Sequence, residues 1–265
     1  MNAGLDQLLQ KLWLDYCDLN PQAKRIFDLF TREGENVIND HIAFRTFQHP
    51  KLGLQHIAKH FEKYGYKSCG EYFFKEKKLY ARHFEHPDVN KPKIFVSELE
   101  LDKISPKLKN QILELIQTLP PDFSESESHF ISGRPWTLSY KQYLEMSQES
   151  EYAGWVAAHG FRTNHFTVLI NSLKKLTTLP LVNEFVTKHG YQLNTSGGVI
   201  KGTPAECLEQ SSTMAEKIKV SFTDGTYEIP SCYYEFAKRY PTPEGKIYQG
   251  FVAQSADKIF ESTNR

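Results

Sequence analysis

One pattern occurs twice in this chain, and it constrains the fold more than any other feature of the sequence. An apolar strand pattern around His41 is followed by a helix pattern that ends at Gly65-Tyr66, 25 residues after the histidine. The same order returns from His165 to Gly190-Tyr191, where the tyrosine lies 26 residues after the histidine. The two helix ends, EKYGYK and TKHGYQ, match in kind as well as in position. Self-similarity at a fixed spacing indicates a duplicated structural unit.

Each copy is followed by further strand patterns, so the repeat predicts two pseudo-symmetric βαβββ modules. The additional strands are expected at 66–74, 78–86 and 93–101 in the first copy, and at 197–201, 217–222 and 227–236 in the second. Two such modules can pair their sheets into a half-open mixed β-barrel around a central cavity. The predicted fold class is therefore α+β, with additional helices at the N-terminus and between the modules.

We expect one catalytic domain over residues 1–265, divided into four segments. Helical patterns with an Asn20-Pro21 start signal indicate N-terminal helices in 1–36. The first module should occupy 37–101, a helical connector 102–154, and the second module with a C-terminal tail 155–265.

The composition excludes several classes of function. Lys plus Arg and Asp plus Glu number 32 each, a balance that argues against nucleic acid as a partner. No apolar run is long enough to predict a membrane span, and the N-terminus lacks the pattern of a signal peptide. The cysteines form no CxxC pair, which argues against a zinc ribbon and favours reduced thiols in a cytoplasmic protein. They are Cys17, Cys69, Cys207 and Cys232.

The first strand of each copy carries a histidine. Side chains of a strand alternate between its two faces, so in NDHIAFRTF the side chains of His41 and Arg45 share one face. Pseudo-symmetry places the strands of His41 and His165 in equivalent positions beside one cavity. We therefore expect the two imidazoles to converge there as metal ligands.

A third ligand is expected from Glu235, in the segment YYEF of the second module. A carboxylate among aromatic residues on a buried strand is costly unless a positive charge compensates it. Two histidines and one carboxylate leave open coordination positions, the arrangement of non-heme Fe(II) enzymes that activate oxygen. Glu228 is an alternative in the same hairpin, although it lies nearer the turn, just before Ile229-Pro230.

Arg45 is the candidate for binding the substrate. At about 3.3 Å per residue, its position is roughly 13 Å along the strand from His41. At that separation a guanidinium group cannot ligate the metal but can form a bidentate pair with the far carboxylate of a small acid. The alternative is a structural ion pair with Glu98 or Glu100.

Four segments then resemble one known family, the 2-oxoadipate dioxygenase/decarboxylase family. They are DHIAFRTF, TNHFTVLI, YEIPSCYYEFAKR and GFVAQSADKIFEST, which occur in this order and extend over nearly the whole chain. The resemblance implies a fold of the vicinal-oxygen-chelate type. It also implies that the cofactor is Fe(II), held by His41, His165 and Glu235, and that Arg45 binds a substrate carboxylate.

The resemblance further implies the reaction and two more substrate contacts. The family converts 2-oxoadipate and O2 into 2-hydroxyglutarate and CO2. The resemblance thus suggests a role in lysine breakdown. Its C-terminal substrate contacts fall on Gln254 and Ser255 in this chain. Some members have valine before that serine, so the glutamine could change the pocket.

Two other functions are compatible with this module pair. One is a glyoxalase-like lyase or isomerase, whose metal usually takes a further protein ligand; Glu98 is the nearest candidate in the first module. The other is a non-catalytic small-molecule-binding module, which the paired histidines disfavour. No nucleophile pattern supports a hydrolase. The remaining histidines are expected in loops or on helix faces, without a role: His49, His56, His60, His83, His86, His129, His159 and His189.

Overall fold

The computed structural model describes residues 3–263 and contains a curled sheet with helices on its outside. The helices are α1 (Ala3–Leu19), α2 (Pro21–Arg32), α3 (Leu54–Glu62), α4 (Pro106–Gln117), α5 (Tyr140–Glu149), α6 (Glu151–His159), α7 (Leu179–Lys188) and α8 (Ala253–Ile259). The strands are β1 (Asn39–Phe47), β2 (Lys67–Phe74), β3 (Leu79–Glu85), β4 (Lys93–Leu99), β5 (Thr163–Leu169), β6 (Lys201–Thr203), β7 (Leu208–Ser212), β8 (Lys217–Phe222), β9 (Gly225–Pro230) and β10 (Glu235–Arg239). Within residues 3–263, none of the helices combines the length and apolar character that a transmembrane span needs.

The main sheet has eight strands in the order β2-β3-β4-β1-β5-β10-β7-β6. Each half repeats one set of pairings: β1 is parallel to β4 and β5 is parallel to β10, and the other neighbours within each half are antiparallel. The halves join where β1 pairs antiparallel with β5, with His41 opposite Thr167 and Ala43 opposite His165. The prediction of two βαβββ modules in a half-open mixed barrel is confirmed.

The N-terminal helices cover the face of the sheet opposite the two histidines. Apolar residues recur at helical spacing along α1, and Leu5, Leu8 and Leu12 are buried. Tyr16 of the same helix packs on Phe166, with 5.0 Å between the ring centroids. Because Phe166 follows His165 in β5, its ring is on the other face of the strand. These helices bury one side of the sheet and leave the histidine side for a cavity.

The predicted strand at 227–236 is wrong, because the segment forms two strands in different sheets. Strand β9 ends at Pro230 and pairs only with β8, in a separate hairpin. Strand β10 begins at Glu235 and joins the main sheet beside β5 and β7. Proline has no N–H to donate, so it ends the ladder and lets the chain cross from one sheet to the other. Glu235 therefore begins a strand of the main sheet.

Three other boundaries differ from the prediction. The connector extends beyond residue 154, because α6 runs from Glu151 to His159 and is capped by Ser150, whose Oγ accepts a hydrogen bond from the Ala153 amide. The helix expected over 173–189 begins only at Leu179, after the N-cap Thr178. Strand β6 begins at Lys201, because the glycines at 197 and 198 form a turn with positive φ angles.

Candidate active site

His41, His165 and Glu235 meet on the concave face of the sheet, where β1, β5 and β10 lie side by side. The two Nε2 atoms are 3.4 Å apart. Glu235 places Oε1 at 3.5 Å from the Nε2 of His41 and Oε2 at 3.3 Å from the Nε2 of His165. The three side chains are 5% exposed or less. One ligand atom from each can therefore contact the same ion, as sequence reasoning expected of these three residues.

The residue before each histidine orients its ring. Asp40 accepts a hydrogen bond from the Nδ1 of His41 at 2.8 Å, and Asn164 accepts one from the Nδ1 of His165 at 3.0 Å. An ionised carboxylate can only accept, so the proton of His41 is on Nδ1 and its Nε2 carries the lone pair. Carboxylate or amide oxygens behind the rings are typical of histidines that bind metals.

Asp40 also forms a buried ion pair with Arg239. The Nε of Arg239 lies 2.6 Å from Oδ1 of Asp40, and its outer nitrogen lies 2.8 Å from Oδ2. Burial works to raise the pKa of Asp40, but the guanidinium and the hydrogen bond from His41 hold it well below its usual value. The carboxylate behind His41 thus stays charged, and Arg239 ties β10 to β1 beside the ligands.

The electrostatics of the three side chains match a site for a cation. Burial raises the pKa of Glu235 to about 8, even though Gln210 Nε2 donates a hydrogen bond to its Oε1 at 2.6 Å. Burial also lowers the pKa of both His41 and His165. The Oε2 of Glu235 is buried without a hydrogen-bond partner. A divalent cation would satisfy this oxygen and offset the cost of burying the carboxylate, so the donor set fits a metal.

The pseudo-symmetry assigns a counterpart to Glu235 in the first module. Ala43 lies opposite Phe95 in the β1–β4 pair, just as Thr167 lies opposite Glu235 in the β5–β10 pair. Phe95 therefore occupies the position that a symmetric fourth ligand would need, and it lines the same cavity. Glu98, the expected candidate for a further ligand, instead accepts a hydrogen bond from the Leu54 amide at 2.7 Å, at the start of α3. The Glu98 alternative is wrong.

Glu228, the other carboxylate considered for the third ligand, lies in β9 of the separate hairpin. The structure does not bring it to the two histidines. The acidic residue that the fold places beside them is Glu235.

Arg45 is buried at the side of the cavity, 1% exposed. Its guanidinium lies 5.1 to 5.5 Å from the ring centroids of Tyr152, Trp155 and Phe260. Its outer nitrogens donate to Glu151 Oε1 at 3.2 Å and to Thr263 Oγ1 at 3.1 Å, and its Nε has no partner.

The alternative expectation for Arg45, a structural ion pair with Glu98 or Glu100, is wrong. Glu98, on β4, accepts a hydrogen bond from the Leu54 amide at the start of α3, and Glu100 pairs with Lys103 at 2.6 Å. The partner of Arg45 is Glu151, at the start of α6, a helix that the sequence patterns did not reveal.

The C-terminal segment, residues 251–263, closes the cavity over the three ligands. The cavity volume is about 20 Å³. That is space for roughly one water molecule, far less than a six-carbon acid needs. The apolar part of its lining consists of Phe95, Phe251, Ala256, Ile259 and Phe260. The segment must therefore shift to admit a substrate.

Gln254 and Ser255 lie in this segment but do not line the cavity. The side chain of Gln254 is exposed. Ser255 is buried beside Gly202, and the residues of the helix that line the cavity are Ala256 and Ile259. Their contact with a substrate stays a prediction.

Sequence reasoning missed three residues beside the ligands. Tyr233 lines the cavity and stacks on His165, with 4.6 Å between the ring centroids; its spacing of two from Glu235 could have revealed it. Gln210 comes from β7, and no local signal marks it. His83 is on β3 and its Nδ1 lies 2.8 Å from the hydroxyl of Tyr72. It packs on Phe251 with 5.3 Å between the centroids, so its expected place on a loop or helix face was wrong.

Comparison with known proteins identifies relatives over most of the chain. The sequence profile of the 2-oxoadipate dioxygenase/decarboxylase family matches residues 15–125 and 124–246. A chloroplastic/amyloplastic protein of Oryza sativa subsp. japonica named 2-oxoadipate dioxygenase/decarboxylase is 34% identical over 275 residues. The match covers 94% of this chain and 76% of the rice protein.

Solved structures agree with these relatives in fold. The crystal structure of hydroxyglutarate synthase from Oryza sativa in complex with 2-oxoadipate is 33% identical, with a TM-score of 0.91, covering 99% of this chain and 93% of that one. A Shewanella frigidimarina structure with a provisional hydrolase description is 48% identical, with a TM-score of 0.90, covering 94% and 97% of the two chains. A glyoxalase superfamily structure from Ralstonia eutropha, 18% identical with a TM-score of 0.73, covers 93% and 85% and shares the fold alone.

Proposed function

Because this chain belongs to the 2-oxoadipate dioxygenase/decarboxylase family, we propose that it is an Fe(II)-dependent enzyme of that activity. It would convert 2-oxoadipate, or a similar 2-oxo dicarboxylic acid, together with O2 into 2-hydroxyglutarate and CO2. The observation that carries the proposal is the convergence of His41, His165 and Glu235 in one cavity that also reaches the surroundings of Arg45.

His41, His165 and Glu235 would hold the metal. When bound there, Fe(II) would supply the activation of O2 and the oxidative decarboxylation of the 2-oxo acid. Among residues 3–263, the protein would contribute three ligands and no fourth, because Phe95 stands where a symmetric ligand would be. Positions for a substrate and for oxygen thus remain open, which favours this reaction over a glyoxalase-like one.

Arg45 would bind the far carboxylate of the substrate. Its guanidinium is held by three aromatic rings and has a free Nε, so its position is fixed while a donor remains available. Glu151, at 3.2 Å, neutralises the charge of Arg45 before substrate binds. A substrate whose far carboxylate reaches Arg45 would take over part of this neutralisation from Glu151. Arg45 would therefore select a dicarboxylic acid of suitable length.

The apolar cover would keep water away from the reaction. Phe251 lies edge-on to His41, with 4.8 Å between the ring centroids, and Phe260 lines the same cavity and packs on Arg45. Once closed over the substrate, the segment would exclude water and keep the decarboxylated product in the site.

Three finer expectations accompany this proposal. We treat residues 1–265 as one catalytic domain, because the main sheet carries both the metal ligands and Arg45. Gln254 and Ser255 would approach the substrate only when the C-terminal segment moves. A cytoplasmic location and a role in lysine breakdown stay predictions; the four cysteines are free, as reduced thiols in the cytoplasm would be.

Oxygen consumption by protein loaded anaerobically with Fe(II) tests the proposal. Addition of 2-oxoadipate should start O2 uptake matched by CO2 release, and 2-oxoglutarate and pyruvate should be poorer substrates because they do not reach Arg45 in the same way. The control variant Glu235→Ala should lose bound iron and the activity together. Absence of uptake with every 2-oxo acid, despite a fully loaded metal, would contradict the proposal and favour a lyase or isomerase.

A further inference from the structure

The hydroxyl group of Tyr233 is a buried donor without an acceptor. Tyr233 is 0% exposed and lines the cavity, and its hydroxyl has no hydrogen-bond partner among residues 3–263. A buried hydroxyl without a partner is destabilising. The Nε of Arg45, whose guanidinium packs on Phe260 of the cavity wall, is unpartnered in the same way. The cavity wall thus carries one donor without an acceptor and a second lies behind Phe260, and both suit an acceptor-only group such as a carboxylate.

The chain direction places Tyr233 between the metal ligands and Arg45. Strand β10 is parallel to β5, and β5 is antiparallel to β1. Tyr233 lies two residues before the start of β10 at Glu235, so moving back along the chain to Tyr233 corresponds to moving forward along β1, from His41 toward Arg45. The ring of Tyr233 stacks on His165 with 26° between the ring planes, and the nearby Ser231 carbonyl accepts a hydrogen bond from Trp155, whose ring packs on Arg45.

A phenol hydroxyl has one proton to donate, and a carboxylate offers only acceptor oxygens, so the two groups are complementary.

We infer that Tyr233 is a substrate-binding residue whose hydroxyl donates a hydrogen bond to the far carboxylate of the bound 2-oxo dicarboxylic acid, beside Arg45. This inference rests on the proposed function and deepens it. The far carboxylate would be held by two buried donors from different strands. Recognition of a second carboxylate would then depend on the hydroxyl of Tyr233 as well as on the charge of Arg45.

The adjacent Tyr234 offers a matched control. It is also 0% exposed and its hydroxyl also lacks a partner. Its ring lies on the other face of the sheet, 6.0 Å from Trp13 and 5.6 Å from Phe236 between centroids. Tyr234→Phe removes an equally buried hydroxyl that cannot reach the cavity.

The test compares Tyr233→Phe and Tyr234→Phe with two substrates, 2-oxoadipate and 2-oxohexanoate, which has the same chain without the far carboxylate. Binding is measured by calorimetry on the Fe(II)-loaded protein without oxygen, and kcat/KM by oxygen uptake. A hydrogen bond to a charged group contributes about 1.5–3 kcal/mol, so Tyr233→Phe should weaken 2-oxoadipate binding about 10- to 150-fold. The same variant should change 2-oxohexanoate binding less than about threefold, and Tyr234→Phe should match the wild type with both acids.

Each other result overturns the inference. Equal losses with the two acids would place the hydroxyl at the 2-oxo end of the substrate. Loss of bound iron by Tyr233→Phe would make the residue a support for His165. If Tyr233→Phe binds 2-oxoadipate as tightly as the wild type, the hydroxyl has no role in binding. The proposed function would still stand, because the wild-type enzyme turns over 2-oxoadipate. If the wild-type enzyme neither binds nor consumes 2-oxoadipate, the proposed function itself fails, and the inference fails with it.

Discussion

Asp40 and Asn164 occupy equivalent positions in the two modules, yet only one of them carries a charge. Both accept a hydrogen bond from the Nδ1 of the histidine that follows. The ionised Asp40 makes His41 the more electron-rich ligand, and Arg239 makes this buried charge tolerable. The two imidazoles are therefore similar in position and different in donor strength.

Asp40→Asn should weaken iron binding while the fold is retained. The amide keeps the shape of the side chain but removes the charge behind His41 and leaves Arg239 without its counter-ion. Loss of such a partner typically lowers metal affinity about 10- to 100-fold. Iron content after dialysis against a graded series of chelator concentrations measures the effect.

Asp15→Asn is the control for this prediction. Asp15 lies on α1, on the far side of the sheet. Its Oδ1 is 2.7 Å from an outer nitrogen of Arg162. The control variant should lose some stability but no iron affinity. Equal iron affinity in Asp40→Asn and the wild type would show that the carboxylate only stabilises the fold.

Arg45→Ala should leave iron bound and raise the KM for 2-oxoadipate. The variant removes the guanidinium that packs on Phe260 of the cavity wall. A charge-assisted pair contributes about 1.5–3 kcal/mol, so KM should rise about 10- to 150-fold. Steady-state kinetics with a parallel iron assay provide the measurement. An unchanged KM would assign Arg45 to the structural pair with Glu151.

At the scale of elements, the C-terminal segment decides access to the site. Helix α8 has seven residues, too few to be stable alone, so its position depends on packing and on polar contacts at its ends. The hydroxyl groups of Ser262 and Ser212 share a hydrogen bond of 2.8 Å. The Nδ2 of Asn194 donates to the Lys258 carbonyl at 2.9 Å. They are side-chain contacts and not part of the backbone ladder of the main sheet.

Hydrogen exchange should reveal this opening. In the iron-loaded protein, amides of residues 253–263 should exchange faster than those of β1 and β5, because local opening costs less than global unfolding. Anaerobic addition of 2-oxoadipate should slow exchange in the segment. Mass spectrometry of peptic fragments gives the measurement. Exchange as slow as in β5, with or without the acid, would mean that substrate reaches the cavity by another path.

Element prediction from the sequence succeeded where periodicity was clear. The expected first strand at 39–47 coincides with β1. Helix α6 was missed because eight of its nine residues are buried, so it has no polar face to create a helical pattern. The prediction of one strand at 227–236, which joined β9 and β10, was wrong for another reason. Both segments have strand patterns, and only their pairing partners show that they belong to different sheets.

At the scale of the whole molecule, a nearly two-fold scaffold holds an asymmetric site. The first strands contribute one histidine each, at equivalent positions. The parallel neighbours of these strands then differ, with Phe95 in one module and Glu235 in the other. A duplicated fold thus brings three potential metal ligands to one face, and the apolar residue stands where a symmetric fourth would be.

Acid should destabilise the whole molecule through histidines buried away from the site. Burial lowers the pKa of His159 to about 4 from 6.5, and its Nε2 lies 3.0 Å from the carbonyl of Pro230. The unfolded chain takes up the proton near pH 6.5 and the folded chain only near 4, so stability falls as the pH drops between these values. At pH 5 the loss should be about 1–3 kcal/mol.

His159→Gln tests this pH dependence. Glutamine can donate a similar hydrogen bond but cannot be protonated, so the variant should lose less stability than the wild type between pH 7 and pH 5. Urea unfolding at each pH gives the free energies. Parallel pH profiles for the two proteins would contradict the expected role of His159.

The sequence by itself determined the duplicated βαβββ plan, the family, and the candidate trio of His41, His165 and Glu235. Strand alternation and repeat spacing are properties of the sequence itself, so they can be recognised without knowing how distant segments pack. Only the tertiary structure decided that Glu151 pairs with Arg45, that Phe95 is the counterpart of Glu235, and that the C-terminal segment closes the cavity. These features depend on register and packing between distant segments, such as those of Arg45 and Glu151, 106 residues apart, and no local pattern encodes them.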